Sequence, residues 1–210
     1  MATPKSQRIG IWIIAAVMVI GSVGVYFVAI LANDNDASQQ QNLQQVYSEY
    51  LAAVDKQASE LSAKHYPIFS PFAERVRSFD PAVAQEKLVT EDLLVGGGEE
   101  ITGTTAFAVY YIGWNEQGTI FDQSIADGAL KTPLAISEGL DNASLIDGWI
   151  EGLKGMRIGG VRELTVPSAK AYKEAGSGEN IAPNAPIKFV VMAIPPFEEV
   201  PIPEALLSGQ

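Results

Sequence analysis

Three hydrophobic patterns follow one another along the chain. Residues 9–32 are an apolar run of twenty-four positions without a charge, about 36 Å of helix at ~1.5 Å per residue, enough to cross a hydrocarbon core. Trp12 and Tyr26 lie near its two ends, Lys5 and Arg8 precede it, and Asp34 and Asp36 follow it. This predicts a single-pass membrane anchor with a cytoplasmic N-terminus, 1–8, and an extracytoplasmic remainder. The alternative is a cleavable signal peptide ending near Ala32, which would make the protein secreted. Such peptides carry apolar cores of only about 7–15 residues, so the anchor is favoured.

The second pattern has helical spacing. After a polar exit, Leu43, Tyr47, Tyr50, Val54 and Leu61 recur at spacings of 4, 3, 4 and 7, interrupted by Gln57. They predict a juxtamembrane helix within a linker, 33–83. Its stripe packs on its own domain, the favoured reading, or pairs two chains as a weak homodimer through a short parallel coiled coil. Pro67, Pro71 and Pro81 predict that no helix runs through the second half of the linker.

The third pattern is short and extended. Strands are expected at 87–95, near Glu100, and at 104–112, 162–166 and 187–194, with further extended structure at 119–121 and 133–136. Gly96-Gly97-Gly98, Gln117-Gly118 and Asp127-Gly128 mark turns. The one helical piece surrounds Trp149, followed by a glycine-rich break at Gly155, Gly159 and Gly160. About five mostly antiparallel strands and one short helix define an α+β domain over 84–195. A proline-rich tail, 196–210, is expected to lie extended outside the core.

Composition narrows the chemistry. The 210-residue chain has a formal net charge of −11, which argues against nucleic acid, since phosphate binding needs Lys and Arg. It has no cysteine and one histidine, so no thiolate, disulfide or His cluster is available, and no metal or cofactor is expected. His65 falls in a polar connecting segment and is expected to be solvated. The triple glycine lacks the Lys-Ser/Thr pair and following helix of a phosphate loop.

Tyr111-Ile112-Gly113, Gly118, Phe121-Asp122-x-Ser124, Leu145-Ile146-x-Gly148-Trp149-x-Glu151-Gly152-Leu153, Met156, Gly159, Arg162, Pro167, Ala171-Tyr172, Gly176, Ile181-x-Pro183-x-Ala185 and Phe189 together resemble the FKBP-type peptidyl-prolyl cis-trans isomerases. The resemblance covers about 87–194. It implies a curved antiparallel sheet wrapped around one short helix, and proline-containing polypeptides as substrates, here exported or cell-surface proteins assisted in folding. It also implies Trp149 as the floor of a proline pocket and Tyr111, Phe121, Ile146 and Phe189 as its walls. The Ile146 main-chain N–H and the Tyr172 hydroxyl would donate to substrate carbonyls, the former helped by the helix dipole. Asp122 would accept from Tyr111, and Leu145 and Ile181 would line the rim. Leu134 and Ile136 stand where the family often has aromatics, and Ser177, Asn180 and Ala182 also depart from its pattern. Tyr110 replaces a frequent histidine behind the pocket. A pocket of this kind needs no nucleophile or metal: rotation about an X-Pro bond meets a barrier of ~18–20 kcal/mol from amide resonance, which desolvation weakens. The alternative is a non-catalytic module, chaperone or scaffold, that grips proline segments.

Overall fold

In FAVYYIGW, Phe107–Trp114, apolar side chains occupy both parities, so a strand here has to be covered on both faces, and every residue of it is buried. The computed structural model describes residues 37–207. The anchor expected at 9–32 lies outside them, and among the described residues no helix is long and apolar enough to cross a membrane.

The main sheet has six antiparallel strands: β1 (Val89–Leu94), β2 (Phe107–Trp114), β3 (Ile120–Gln123), β6 (Leu134–Ile136), β7 (Val161–Val166) and β8 (Ile187–Ile194). Their order is β1-β7-β8-β2-β3, with β6 pairing the other half of the β2 edge. Between β3 and β6 the chain makes a separate hairpin, β4 (Ile125–Ala126) with β5 (Ala129–Leu130). Asp127 and Gly128, at φ 50° and 74°, supply the two left-handed residues that such a tight turn requires. The expectation of about five strands is therefore low, and the strand expected near Glu100 is a single bridge to Arg157.

The two parities of β2 serve two cores. Phe107, Val109 and Tyr111 join Leu164, Val166, Phe189 and Val191 around the short helix that carries Trp149. Ala108, Tyr110, Ile112 and Trp114 join Val190 and Met192 on the opposite face. That face is covered by helix α1 (Ala37–Phe69), the 3-10 turn Ser70–Arg75 after it and the chain that follows. Phe69 is buried there with its ring 6.5 Å from that of Tyr110. Ser62 Oγ accepts from the Leu130 N–H at 2.8 Å, and the Trp114 indole donates to the Arg77 carbonyl at 3.0 Å.

Three sequence expectations are corrected by this back layer. Helix α1 runs through Pro67 and ends two residues later. A proline this near a helix end removes one hydrogen bond, and burial of Phe69 against the sheet outweighs that loss. His65 is buried, not solvated: its ring lies 6.0 Å from that of Tyr110, and burial, with Lys64 beside it, lowers its pKa. Burial alone pushes the Tyr110 hydroxyl up to about 12. The second half of the expected linker is thus packed against the sheet. The tail is corrected too: Phe197 packs on the same core, and a one-turn helix, Glu204–Leu207, follows.

An ion-pair cluster ties the back layer to the sheet. Glu91 and Glu163 face each other across β1 and β7. Arg75 lies between them, at 2.9 Å from Glu91 and 2.7 Å from Glu163, and Lys188 reaches Glu163 at 2.8 Å. Burial would raise the Glu163 carboxyl, but its bonds to Arg75 and Lys188 outweigh that and hold it below the ordinary value.

Candidate functional site

Helix α3, Asp147–Gly152 following a short helix α2 at Pro81–Ala84, lies against the concave face because its glycines permit it. A Cβ at Gly148 would stand 2.3 Å from Val166 Cγ1, and one at Gly152 2.9 Å from Leu164 Cδ2. Its C-terminal end is held by buried Arg162. The guanidinium donates to the carbonyls of Gly152 and Lys154 at 2.8 and 3.1 Å and pairs with Asp92 at 2.6 and 3.0 Å. These bonds satisfy carbonyls that a helix end leaves open.

Trp149 on this helix is buried among rings. Tyr111 meets it edge-on at 5.3 Å and 80°, and Phe189 at 5.2 Å and 85°. Phe121 meets Phe189 at 5.6 Å and 84° from the open side of the sheet. All three pairs have the edge-to-face geometry that aromatic quadrupoles favour. Gly113 makes room for it, since a Cβ there would lie 2.6 Å from the Phe189 ring and 2.7 Å from that of Phe121. The Trp149 indole N–H is buried with no partner among the described residues.

Polar groups sit at the edge of this apolar cluster. The Tyr111 hydroxyl donates to Asp122 Oδ2 at 2.5 Å. Ser124 fixes the pairing that allows it: its Oγ accepts from the Tyr111 N–H at 2.9 Å, and its N–H donates to the Tyr111 carbonyl at 2.8 Å. Burial, with the nearby Asp122 carboxylate adding to it, pushes the Tyr172 hydroxyl up to about 12 and that of Tyr111 further. Both phenols are protonated donors at neutral pH. The Tyr172 hydroxyl and the Ile146 main-chain N–H donate to no group among the described residues.

The residues singled out in the sequence are brought together. Ile146, Tyr172 and Phe189, with Leu145, Ile136 and Ile181, share one apolar cluster with Trp149 and Tyr111. Phe121 and Leu134 pack against it, half-buried, while Asp122 stands beside it through Tyr111. Two supporting residues are not apparent from the sequence. Gln85 accepts from the Ser168 N–H at 2.8 Å and donates to the Asn184 carbonyl at 2.6 Å, clipping both ends of the loop that carries Tyr172. Asn115 donates to the Asn180 carbonyl at 2.8 Å and accepts from the N–H groups of Gln117 and Thr119. It joins the turn between β2 and β3 to the loop that holds Ile181. Amide side chains that bridge distant loops leave no local pattern to read.

Comparison with known proteins gives the arrangement a family. The family model for FKBP-type peptidyl-prolyl cis-trans isomerases matches residues 97–194. An FK506-binding protein of Neisseria meningitidis serogroup A is 40% identical over 111 residues, 53% of this chain and 97% of that protein. A probable FK506-binding protein of Corynebacterium glutamicum is 39% identical over 101 residues, 47% of this chain and 79% of its own length. The crystal structure of a peptidyl-prolyl cis-trans isomerase from Pseudomonas syringae pv. tomato is 29% identical, covering 54% of this chain and 84% of that one with a TM-score of 0.44. With nearly the whole of a 40% identical relative spanned by 53% of this chain, and every strand from β2 to β8 inside the matched residues, the chain belongs to the FKBP-type peptidyl-prolyl cis-trans isomerase family.

Proposed function

We propose that this isomerase acts on X-Pro bonds of exported or cell-surface polypeptides, assisting their folding, and that it does so by desolvating the amide in the ring cluster around Trp149. The observation that carries the reading is the set of edge-to-face rings, joined in one apolar cluster by Ile146 and Tyr172, whose main-chain N–H and hydroxyl donate to no group among the described residues. In this reading the proline ring rests over Trp149 between Tyr111, Phe121 and Phe189, with Leu134, Ile136, Leu145 and Ile181 as the rim. The two donors take substrate carbonyls and hold the chain while the bond turns. A planar amide is charge-separated and loses solvation in a dry pocket, whereas the twisted amide has less to lose, so its barrier falls. Asp122 anchors the Tyr111 hydroxyl and sets a fixed negative end beside the amide.

No proton moves in this mechanism. The lone histidine packs against Tyr110 on the opposite face of β2, and burial keeps the Tyr172 phenol at about 12. The rate with a short proline peptide is therefore expected to be accelerated above buffer and flat from about pH 6 to 9, the range in which a histidine would titrate. A bell-shaped or sigmoidal pH profile across that range would refute the desolvation mechanism.

The place of action rests on residues 9–32 and their basic flank. Full-length protein is expected in the membrane pellet, released by detergent but not by alkaline carbonate, with its domain open to protease added from outside the cytoplasm. Recovery in the carbonate supernatant, or a domain protected from that protease, would overturn the anchored arrangement.

A further inference from the structure

Two segments outside the residues matched by the family, α1 and the tail after β8, meet the domain's own residues 132–135 and enclose a cleft of about 240 Å³. Tyr50 and Val54 form the helix wall, Phe197 and Val200 the tail wall, and Pro133 and Leu134 the floor. The Gln57 amide donates to the Glu198 carbonyl at 2.7 Å and pins the tail to the helix. The volume falls below the ~300–1,000 Å³ of small-molecule sites and suits a side chain or two.

The cleft adjoins the isomerase site through one shared residue. Leu134 packs on the apolar cluster around Trp149 and also lines the cleft, so the rim of one site is the floor of the other. On β6, Leu134 shares its parity with Ile136 of that cluster, while Ala135, of the other parity, also lines the cleft, so the cleft wraps around this edge strand. Charge gives the occupant a polarity. Glu199 lines the cleft, no basic residue does, and the chain carries a net charge of −11.

The geometry points to a second subsite for the same polypeptide substrate: an apolar side chain of the client, followed by Lys or Arg, docks between α1 and the tail while proline occupies the ring cluster. This rests on the ring cluster being the proline site. A flank of roughly three to six residues, ~10–20 Å of extended chain, spans from one side of β6 to the other. Burying one apolar side chain next to an already bound proline makes the second contact intramolecular and raises kcat/KM by roughly tenfold for peptides long enough to reach it. Short peptides gain nothing. The extra segments thus give this chain a preference for apolar-basic flanks that the matched domain alone lacks.

The test uses the full chain in detergent with two probes, a proline tetrapeptide and a peptide of about a dozen residues carrying Leu-Lys a few positions from the proline. The longer peptide is expected to be turned over roughly tenfold more efficiently. Val54→Glu, and separately Val200→Glu, should remove that advantage and leave the tetrapeptide rate and the melting temperature at wild-type values. A benzophenone in place of the leucine should crosslink within 50–57 or 132–135. Equal rates for both peptides in the wild type, an advantage that survives both substitutions, or crosslinks elsewhere would overturn the subsite. So would a dimer in sedimentation that Val54→Glu dissociates, since a second copy would then fill the cleft. Failure of the ring cluster as the proline site reads differently: Phe121→Ala would leave tetrapeptide turnover intact while the crosslink to the cleft remained.

Discussion

Phe121→Ala is expected to lower kcat/KM for a proline tetrapeptide by roughly tenfold to a hundredfold and to leave the fold standing. Truncating a fully buried phenylalanine costs about 3–5 kcal/mol of stability. Phe121 is half-buried on β3 at the edge of the sheet, so the loss there is nearer 1–2 kcal/mol, a few degrees in melting temperature for a chain of this size. Its consequence at the site is larger in proportion. The ring closes the cluster on its open side, edge-on to Phe189 at 5.6 Å, and its removal lets water reach the amide that the mechanism needs dry. Losing one wall contact and that exclusion amounts to about 1.4–2.7 kcal/mol in the transition state, the stated range in rate. If desolvation acts on the bond as it turns, the loss falls on kcat as well as KM. A variant that melts near the wild-type temperature yet keeps the full rate would remove Phe121 from the site.

The concave half of the molecule was legible because its signals are local. The strands at 161–166 and 187–194 are rich in β-branched and apolar residues, and glycines lie within and just after the short helix at Trp149. The candidate site residues, scattered from Tyr111 to Phe189, are singled out only by their joint match to the family pattern, since a single buried tryptophan or tyrosine is ordinary core. The convex half is far less legible in the sequence, for a physical reason. His65 and Ser62 sit among polar neighbours and beside Pro67, so local pattern predicts a solvated, broken segment there. The partners they meet there, Tyr110 for His65 and Leu130 for Ser62, are more than forty positions away in sequence. One trace of it is visible beforehand. Both parities of Phe107–Trp114 are apolar, and the expected domain has only one helix to cover one face, so a second cover had to come from outside 84–195. Gln85 and Asn115 left no such trace, because an amide that clips loops reports nothing until the loops are placed.

Gly148→Ala should have the largest effect on the fold and on activity together. Helix propensity alone favours the substitution by about 0.5–1 kcal/mol. Against this, the new methyl would lie 2.3 Å from Val166 Cγ1, 3.1 Å from its Cγ2 and 3.2 Å from the Lys170 carbonyl. Val166 cannot turn away easily: a β-branched side chain on a strand has few χ1 options, and this one is fully buried. The helix must move off the sheet instead, and overpacking of this kind costs about 1–3 kcal/mol, with the upper end expected for so short a contact. Net destabilisation of about 2 kcal/mol corresponds to a fall of roughly 4–8 °C in melting temperature. Activity should fall further than stability, because the helix that moves carries Trp149 and follows directly on the Ile146 N–H. A displacement of even about 1 Å in positioning groups can cost on the order of a hundredfold in rate. Val166→Ala supplies the control: it removes both clashing carbons, at the cost of a cavity when made alone. The double variant Gly148→Ala/Val166→Ala should therefore be more stable and more active than additivity of the single changes predicts, by about 1 kcal/mol or more for residues in direct contact. Strict additivity in melting temperature and in kcat/KM would show that α3 does not rest on Val166 through Gly148, and the close approach of helix to sheet could not then be what sets the floor of the site.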